Sequence, residues 1–129
     1  MNDRISIDTR TIQPGDVFIP VGEGINYCDE AKKKGATVLN VNLTDYAIEK
    51  RSKYTGIVIG ITGSFGKTTL KDTLSAAFSS QGVSATEKNF NNEIGVPLTI
   101  ANADLSAPYW IIEMGIRRPG DMSHLASIV

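Results

Sequence analysis

Apolar positions along the chain first alternate in short runs and then gather into longer ones, with the change falling near residue 54. Ile5 and Ile7 alternate with polar neighbours, the period of a half-buried strand. Pro14-Gly15-Asp16 predicts a turn, and Val17-Phe18-Ile19 a second short strand that stops at Pro20. Gly22 and Gly24 mark a loop. Asp29 to Lys34 predicts a short helix, with Gly35 just past its end and lysines suited to the helix dipole. Ala36 to Leu39 reads as a strand, and Thr44 to Tyr54 as a polar link with weak helical periodicity.

The pattern then changes. Ile57-Val58-Ile59-Gly60-Ile61 is a nearly uninterrupted apolar, largely β-branched run, as expected of a strand buried on both faces of a parallel sheet. Leu70, Leu74, Ala77 and Phe78 recur at helical spacing and predict a helix packed on that sheet and closed by Gly82. Val83 to Thr86 predicts another strand. Pro97 suits the first turn of a helix running to about Asn102. Tyr109 to Ile112 is a further apolar strand that ends in Glu113. Pro119 and Asp121 open a last helix whose apolar face is Met122, Leu125, Ala126 and Val129.

These elements predict an α/β protein in two parts. Residues 1–53 form a small α/β unit, and residues 54–129 a second α/β unit with a mostly parallel sheet. At 129 residues, 41% apolar and 21% charged, the composition is that of a globular protein able to build a core. A net charge of −1 gives no electrostatic reason to expect nucleic acid or an anionic membrane as partner. The single cysteine, Cys28, excludes an internal disulfide. The absence of a long apolar run makes a cytoplasmic location the expectation.

The chemistry concentrates at Gly60-Ile61-Thr62-Gly63-Ser64-Phe65-Gly66-Lys67-Thr68-Thr69. Strand, glycine loop and helix is the context in which G-K-T means phosphate binding. Position 61, glycine in the general eight-residue pattern, is isoleucine here, and the glycines fall at 60, 63 and 66. Thr62, Gly63, Ser64, Gly66, Lys67, Thr68 and Thr69 are the predicted nucleotide contacts. Loop amides and the helix N-terminus favour an anion there. Lys67 adds a cation for the outer phosphates, and the Thr68 hydroxyl is placed to ligate Mg²⁺. Glu113, at the carboxyl end of a neighbouring strand, can reach the same ion.

Other charged positions carry blander readings. Asp8 and Arg10, two apart on the predicted first strand, share a face and could orient a polar ligand or form an internal ion pair. Lys32-Lys33-Lys34 reads as a solvated helix end. His124 reads as a helix-side histidine without a second imidazole or thiol for metal chemistry.

Three blocks, T-G-S-F-G-K-T-T at 62–69, N-F-N-N-E-I-G-V-P-L-T at 89–99 and I-E-M-G-I-R-R-P-G-D-M at 112–122, resemble the Mur ligases in the expected order. These are the ATP-dependent amide-forming enzymes of peptidoglycan synthesis. Within the family the second and third blocks are most similar to the branch that adds D-alanyl-D-alanine to a UDP-N-acetylmuramoyl tripeptide. The segment D-T-R-T-I-Q-P-G-D-V-F at 8–18 is similar to the start of that branch's UDP-sugar-binding domain.

The resemblance implies ATP and Mg²⁺ as cofactors and a UDP-linked muramoyl peptide as substrate. It makes Lys67 and Glu113 the catalytic residues and Thr68 and Glu113 the metal ligands. It puts Asn91 and Asn92, with Asp8 and Arg10, on the UDP-linked substrate. The implied reaction is attack of a substrate carboxylate on the γ-phosphate of ATP, then displacement of phosphate by an amine.

Several positions depart from the family. Gly24-Ile25-Asn26-Tyr27-Cys28 replaces the usual D-G-H-x-F, the link from Gly35 to the glycine loop is short, and Arg117 stands where asparagine is common. The residues also stop at Val129, short of the rest of the ATPase domain and the C-terminal domain, so the resemblance makes residues 54–129 a partial nucleotide-binding domain. A partial sheet is expected to leave an edge and an apolar face uncovered, with self-association as the liability. The expectation is therefore a ligase fragment inactive alone, the alternative a non-catalytic nucleotide-binding module derived from such a ligase. A small GTPase is disfavoured because no N-K-x-D block is present.

Overall fold

The computed structural model describes residues 4–63, 65–88 and 90–129. Two three-stranded sheets, parallel in every pairing among the described residues, are separated by a shared layer of helices. The first sheet has the order β1-β2-β3, from Ile5–Ser6, Val17–Phe18 and Thr37–Val38. A 3-10 helix at Gly22–Tyr27, where the glycines predicted only a loop, leads into α1 at Cys28–Lys33. Gly35 follows α1 at φ 91°, the left-handed position predicted for it. One face of this sheet packs Phe18 and Ile12 on Ala31 of α1 and on Ala36. The other buries Ile5 and Ile19 against Leu43 and Ala101.

Leu43 opens α2, Leu43–Lys53, in the stretch that reads from sequence as a link. It is an integral helix. Asn42 caps it by accepting from the Asp45 amide at 3.0 Å. Its narrow apolar stripe divides between two cores. Leu43 and Tyr46 turn to the first sheet, and Ala47 to the second. Its neighbour α4, Gly95–Asn102, does the same, with Leu98 and Ala101 on one side and Val96 and Ile100 on the other. Such a helix is apolar nearly all round because both faces are covered.

The second sheet has the order β4-β6-β5, from Ile57–Ile61, Tyr109–Glu113 and Val83–Ala85. Side chains alternate across β6. Trp110 and Ile112 face the core under α2, α4 and α5 (Asp121–Ile128). Trp110 stacks on Tyr54 with ring centroids 3.8 Å apart, and the Tyr54 hydroxyl donates to the Ala107 carbonyl at 2.5 Å. Tyr109 turns to the opposite face and stacks on Phe78 of α3, Lys67–Phe78. Glu113, two pairs further along the same alternation, belongs to the α3 face.

Three expectations shift. Among the described residues β4 pairs with β6 alone, so the strand predicted to be buried on both faces is an edge, with Ile57 56% exposed. The inward stripe of α3 is buried Lys71 with half-buried Leu74, Ser75 and Phe78, rotated by about one residue from the predicted one, which leaves Leu70 and Ala77 exposed. The helix packs mainly on β6 and β5 rather than β4, and the aliphatic stem of Lys71 substitutes for a leucine there. In α5, Leu125 and Ile128 form the buried face while Met122 and Ala126 stay exposed.

Candidate functional site

The glycine loop leaves β4 at its carboxyl end and enters α3 directly. Gly63 has φ 144° and Gly66 φ 80°, conformations that a Cβ would strain, so the glycines at these positions shape the loop. The first backward hydrogen bond of α3 runs from the Leu70 amide to the Gly66 carbonyl at 2.8 Å. The amides of the first turn, Lys67 to Thr69, therefore lie at the helix's open, positive end. Lys67 folds across the loop and donates from Nζ to the Gly63 carbonyl at 2.6 Å. Thr62 and Thr69 are exposed, and Ser64 lies outside the described residues.

Glu113 arrives from β6. The register sets it opposite Ile61, the last residue of β4 before the loop. Its carboxylate is 1% exposed, and Oε1 accepts from the Thr68 hydroxyl at 3.2 Å. The other oxygen, Oε2, is buried without a hydrogen-bond partner among the described residues. A buried carboxylate oxygen left in this state is costly unless something else meets it. Thr86, at the end of β5, holds the acid in place by accepting the Glu113 amide on Oγ1 at 2.9 Å. This support is absent from the sequence reading, and a lone threonine after a strand carries no signal that could have found it.

Asn91 closes the pocket. Its carbonyl accepts the Gly115 amide at 2.6 Å, and a Cβ at Gly115 would stand 2.8 Å from Asn91 Oδ1. Gly115 thus lets the amide side chain lie against the strand end beside Glu113. Phe65, Gly66, Lys67, Thr68, Thr69, Asn91 and Glu113 together line a cavity of about 310 Å³. The Thr68 hydroxyl and the orphaned Glu113 oxygen fit a hard divalent cation, which prefers oxygen ligands. No group of three or more His, Cys, Asp or Glu side chains is poised for a metal among the described residues, so further ligands would have to come from phosphate or water.

Asn92, Asp8 and Arg10 are not in this pocket. Asn92 points its Oδ1 at the amides of Ile94 and Gly95, at 3.2 and 2.7 Å, and so caps α4. Asp8 and Arg10 follow β1 in a turn rather than on a strand, and they bind each other, Arg10 Nη2 to Asp8 Oδ2 at 2.7 Å. That pairing, with the Arg10 amide, holds the Asp8 carboxyl at about 2. All three line a second and larger cleft, of about 1810 Å³, between the first sheet and the 83–106 region. The other polar expectations hold, since His124 is exposed on α5 and Lys34 closes α1 on Glu30 and the Thr9 carbonyl.

A glycine loop at the carboxyl end of a parallel strand, faced by a buried acid on the adjacent strand, defines the class as a layered α/β protein with its site at the strand ends. The comparisons make it particular. Residues 61–129 match the Mur ligase middle domain, and the chain belongs to the Mur ligase family. It is 32% identical to the UDP-N-acetylmuramoyl-tripeptide–D-alanyl-D-alanine ligase of Synechocystis, covering 98% of this chain and 34% of that protein. Against the Escherichia coli protein of the same name the identity is 30%, over 98% of this chain and 33% of the relative. The crystal structure of the MurF ligase from Thermotoga maritima in complex with ADP superimposes with a TM-score of 0.79 at 32% identity, over 99% of this chain and 35% of that one. The chain therefore spans about a third of the length of the relatives it matches.

Proposed function

We propose that these residues are the nucleotide-binding part of a peptidoglycan-precursor ligase of the D-alanyl-D-alanine-adding type, working on a UDP-linked muramoyl peptide in the cytoplasm. The observation that carries the reading is the buried Glu113 carboxylate. One oxygen accepts from Thr68 of the glycine loop, and the other is buried without a hydrogen-bond partner among the described residues. The similarity to a ligase solved with ADP and to D-alanyl-D-alanine ligases supports the choice of nucleotide and reaction.

In this reading the loop amides and the first turn of α3 would take the β- and γ-phosphates of ATP, and Lys67 would exchange the Gly63 carbonyl for phosphate oxygens. Thr68 and Glu113 would hold Mg²⁺, which when bound would neutralise charge on the phosphoryl oxygens. Asn91, beside Glu113, orients the incoming carboxylate with an amide that donates and accepts without titrating. A carboxylate oxygen bonds to the γ-phosphorus as the bond to ADP breaks. The amine nitrogen then bonds to the acyl carbon, phosphate leaves, and the amine gives up a proton. Positioning and charge stabilisation are the contributions of the protein. Asn92, Asp8 and Arg10 belong with the UDP-linked substrate, as walls of the larger cleft. By themselves these 129 residues are proposed to bind nucleotide without completing amide transfer.

Calorimetric titration with MgATP tests the reading. Saturable binding is expected for wild type and its loss for Lys67→Ala, with no sustained phosphate release by either. A folded wild type that takes up no MgATP would refute it.

A further inference from the structure

Lys88 is the only non-glycine residue with positive φ among the described residues, at 52°. It sits in the turn from Glu87 to Phe90, closed by the Phe90 amide on the Glu87 carbonyl at 3.2 Å. A side chain in the left-handed region is strained, and glycine would take the same turn freely. Strain of this kind persists where the surrounding structure imposes it, and it gathers at binding sites.

The side chain is exposed, and its ammonium stands 5.9 Å from the centroid of the Phe90 ring. Contact with the ring face steadies the cation without neutralising it. Lys88 and Phe90 both line the larger cleft. The cleft's other cations are occupied. Arg4 binds Asp16 at 2.6 Å, Arg10 binds Asp8 at 2.7 Å and Lys53 lies 3.4 Å from Glu49. Lys50 donates to the Ala101 carbonyl at 2.7 Å. Among the described residues Lys88 alone of the lining cations has neither a carboxylate nor a carbonyl partner.

Position adds to this. The turn joins Thr86, which supports Glu113, to Asn91, which walls the phosphate pocket. A group held by Lys88 is therefore in the cleft but only three residues along the chain from that pocket.

We propose that Lys88 is the anion contact of the larger cleft and binds an anionic group of the UDP-linked substrate, its diphosphate or a peptide carboxylate. The inference rests on the reading of the cleft as the site of that substrate. A charge-assisted hydrogen bond from an otherwise unpartnered ammonium is worth about tenfold in affinity.

The test is titration of the full chain with UDP-N-acetylmuramoyl tripeptide and, separately, with UDP, for wild type, Lys88→Gly and Lys88→Arg. Lys88→Gly keeps the turn and removes the strain, so it is expected to melt no lower than wild type. It is expected to bind the tripeptide ligand about tenfold more weakly, with Lys88→Arg restoring most of the loss. A parallel loss for UDP assigns the diphosphate, and a loss for the tripeptide ligand alone assigns a peptide carboxylate. Equal binding by wild type and Lys88→Gly overturns the role of Lys88 and leaves the cleft reading standing. No binding of the tripeptide ligand by wild type overturns both.

Discussion

Asp16 illustrates how single residues hold the first sheet. It is buried, accepts from Arg4 at Nη2 and Nε at 2.6 and 3.1 Å, and accepts the Gln13 amide at 2.8 Å. The Arg4 guanidinium holds its carboxyl below the usual range, and Arg10 does the same for Asp8. A carboxyl whose pKa is depressed by folding adds stability above its unfolded pKa of roughly 4, and that stability is lost as pH falls through the depressed folded-state pKa. Asp16→Asn is therefore expected to cost about 1–2 kcal/mol at pH 7, after discounting for the half-exposed Arg4, and to flatten the decline in melting temperature as pH falls below roughly 4. An acid profile parallel to that of wild type would count against the pair. Residue-scale roles of this sort were only partly legible. Lys67, Thr68 and Glu113 announce themselves by spacing, because a glycine loop and a strand end constrain where they must go. Asn92 does not, because an asparagine that caps a helix and one that meets a substrate look alike until the neighbouring amides are placed.

At the scale of elements, α2 and α4 couple the two sheets. Asn102, the last residue of α4, mimics a strand. Its Oδ1 accepts the Ile5 amide at 2.8 Å, and its Nδ2 donates to the Ile5 carbonyl at 3.0 Å. Lys50 of α2 reaches the Ala101 carbonyl at the same helix end, where the dipole favours a cation although burial pushes its pKa down. Asn102→Ala would strip both partners from the backbone of buried Ile5. It is expected to lower stability by about 2 kcal/mol and to speed amide exchange at Ile5 before that at β6. Unchanged exchange at Ile5 would contradict the coupling. Strands and most helices were readable from period and punctuation. The status of α2 was not, because a helix with a small residue facing one core and a leucine facing another shows little periodicity. The rotation of α3 was hidden for a related reason, since a lysine whose stem is buried scores as polar.

At the scale of the whole molecule, the glycine loop, the α3 N-terminus and Glu113 meet at the carboxyl ends of β4 and β6, while the larger cleft opens between the two sheets. Asn91 lines the first space and Asn92 the second, so one dipeptide reaches both. The α/β class and the parallel pairing followed from sequence because β-branched runs alternate with helical ones. The shared helical layer did not, since it depends on contacts between residues nearly a hundred positions apart. Thr68 and Glu113 are proposed as a divalent-cation site on a bound nucleotide's phosphates. Its most direct measurement is ATP affinity with Mg²⁺ and with chelator, for wild type and Glu113→Gln. Wild type is expected to bind at least about tenfold more tightly with Mg²⁺, and Glu113→Gln to lose that increment while binding metal-free ATP as wild type does. The same Mg²⁺ increment in both proteins would contradict the account.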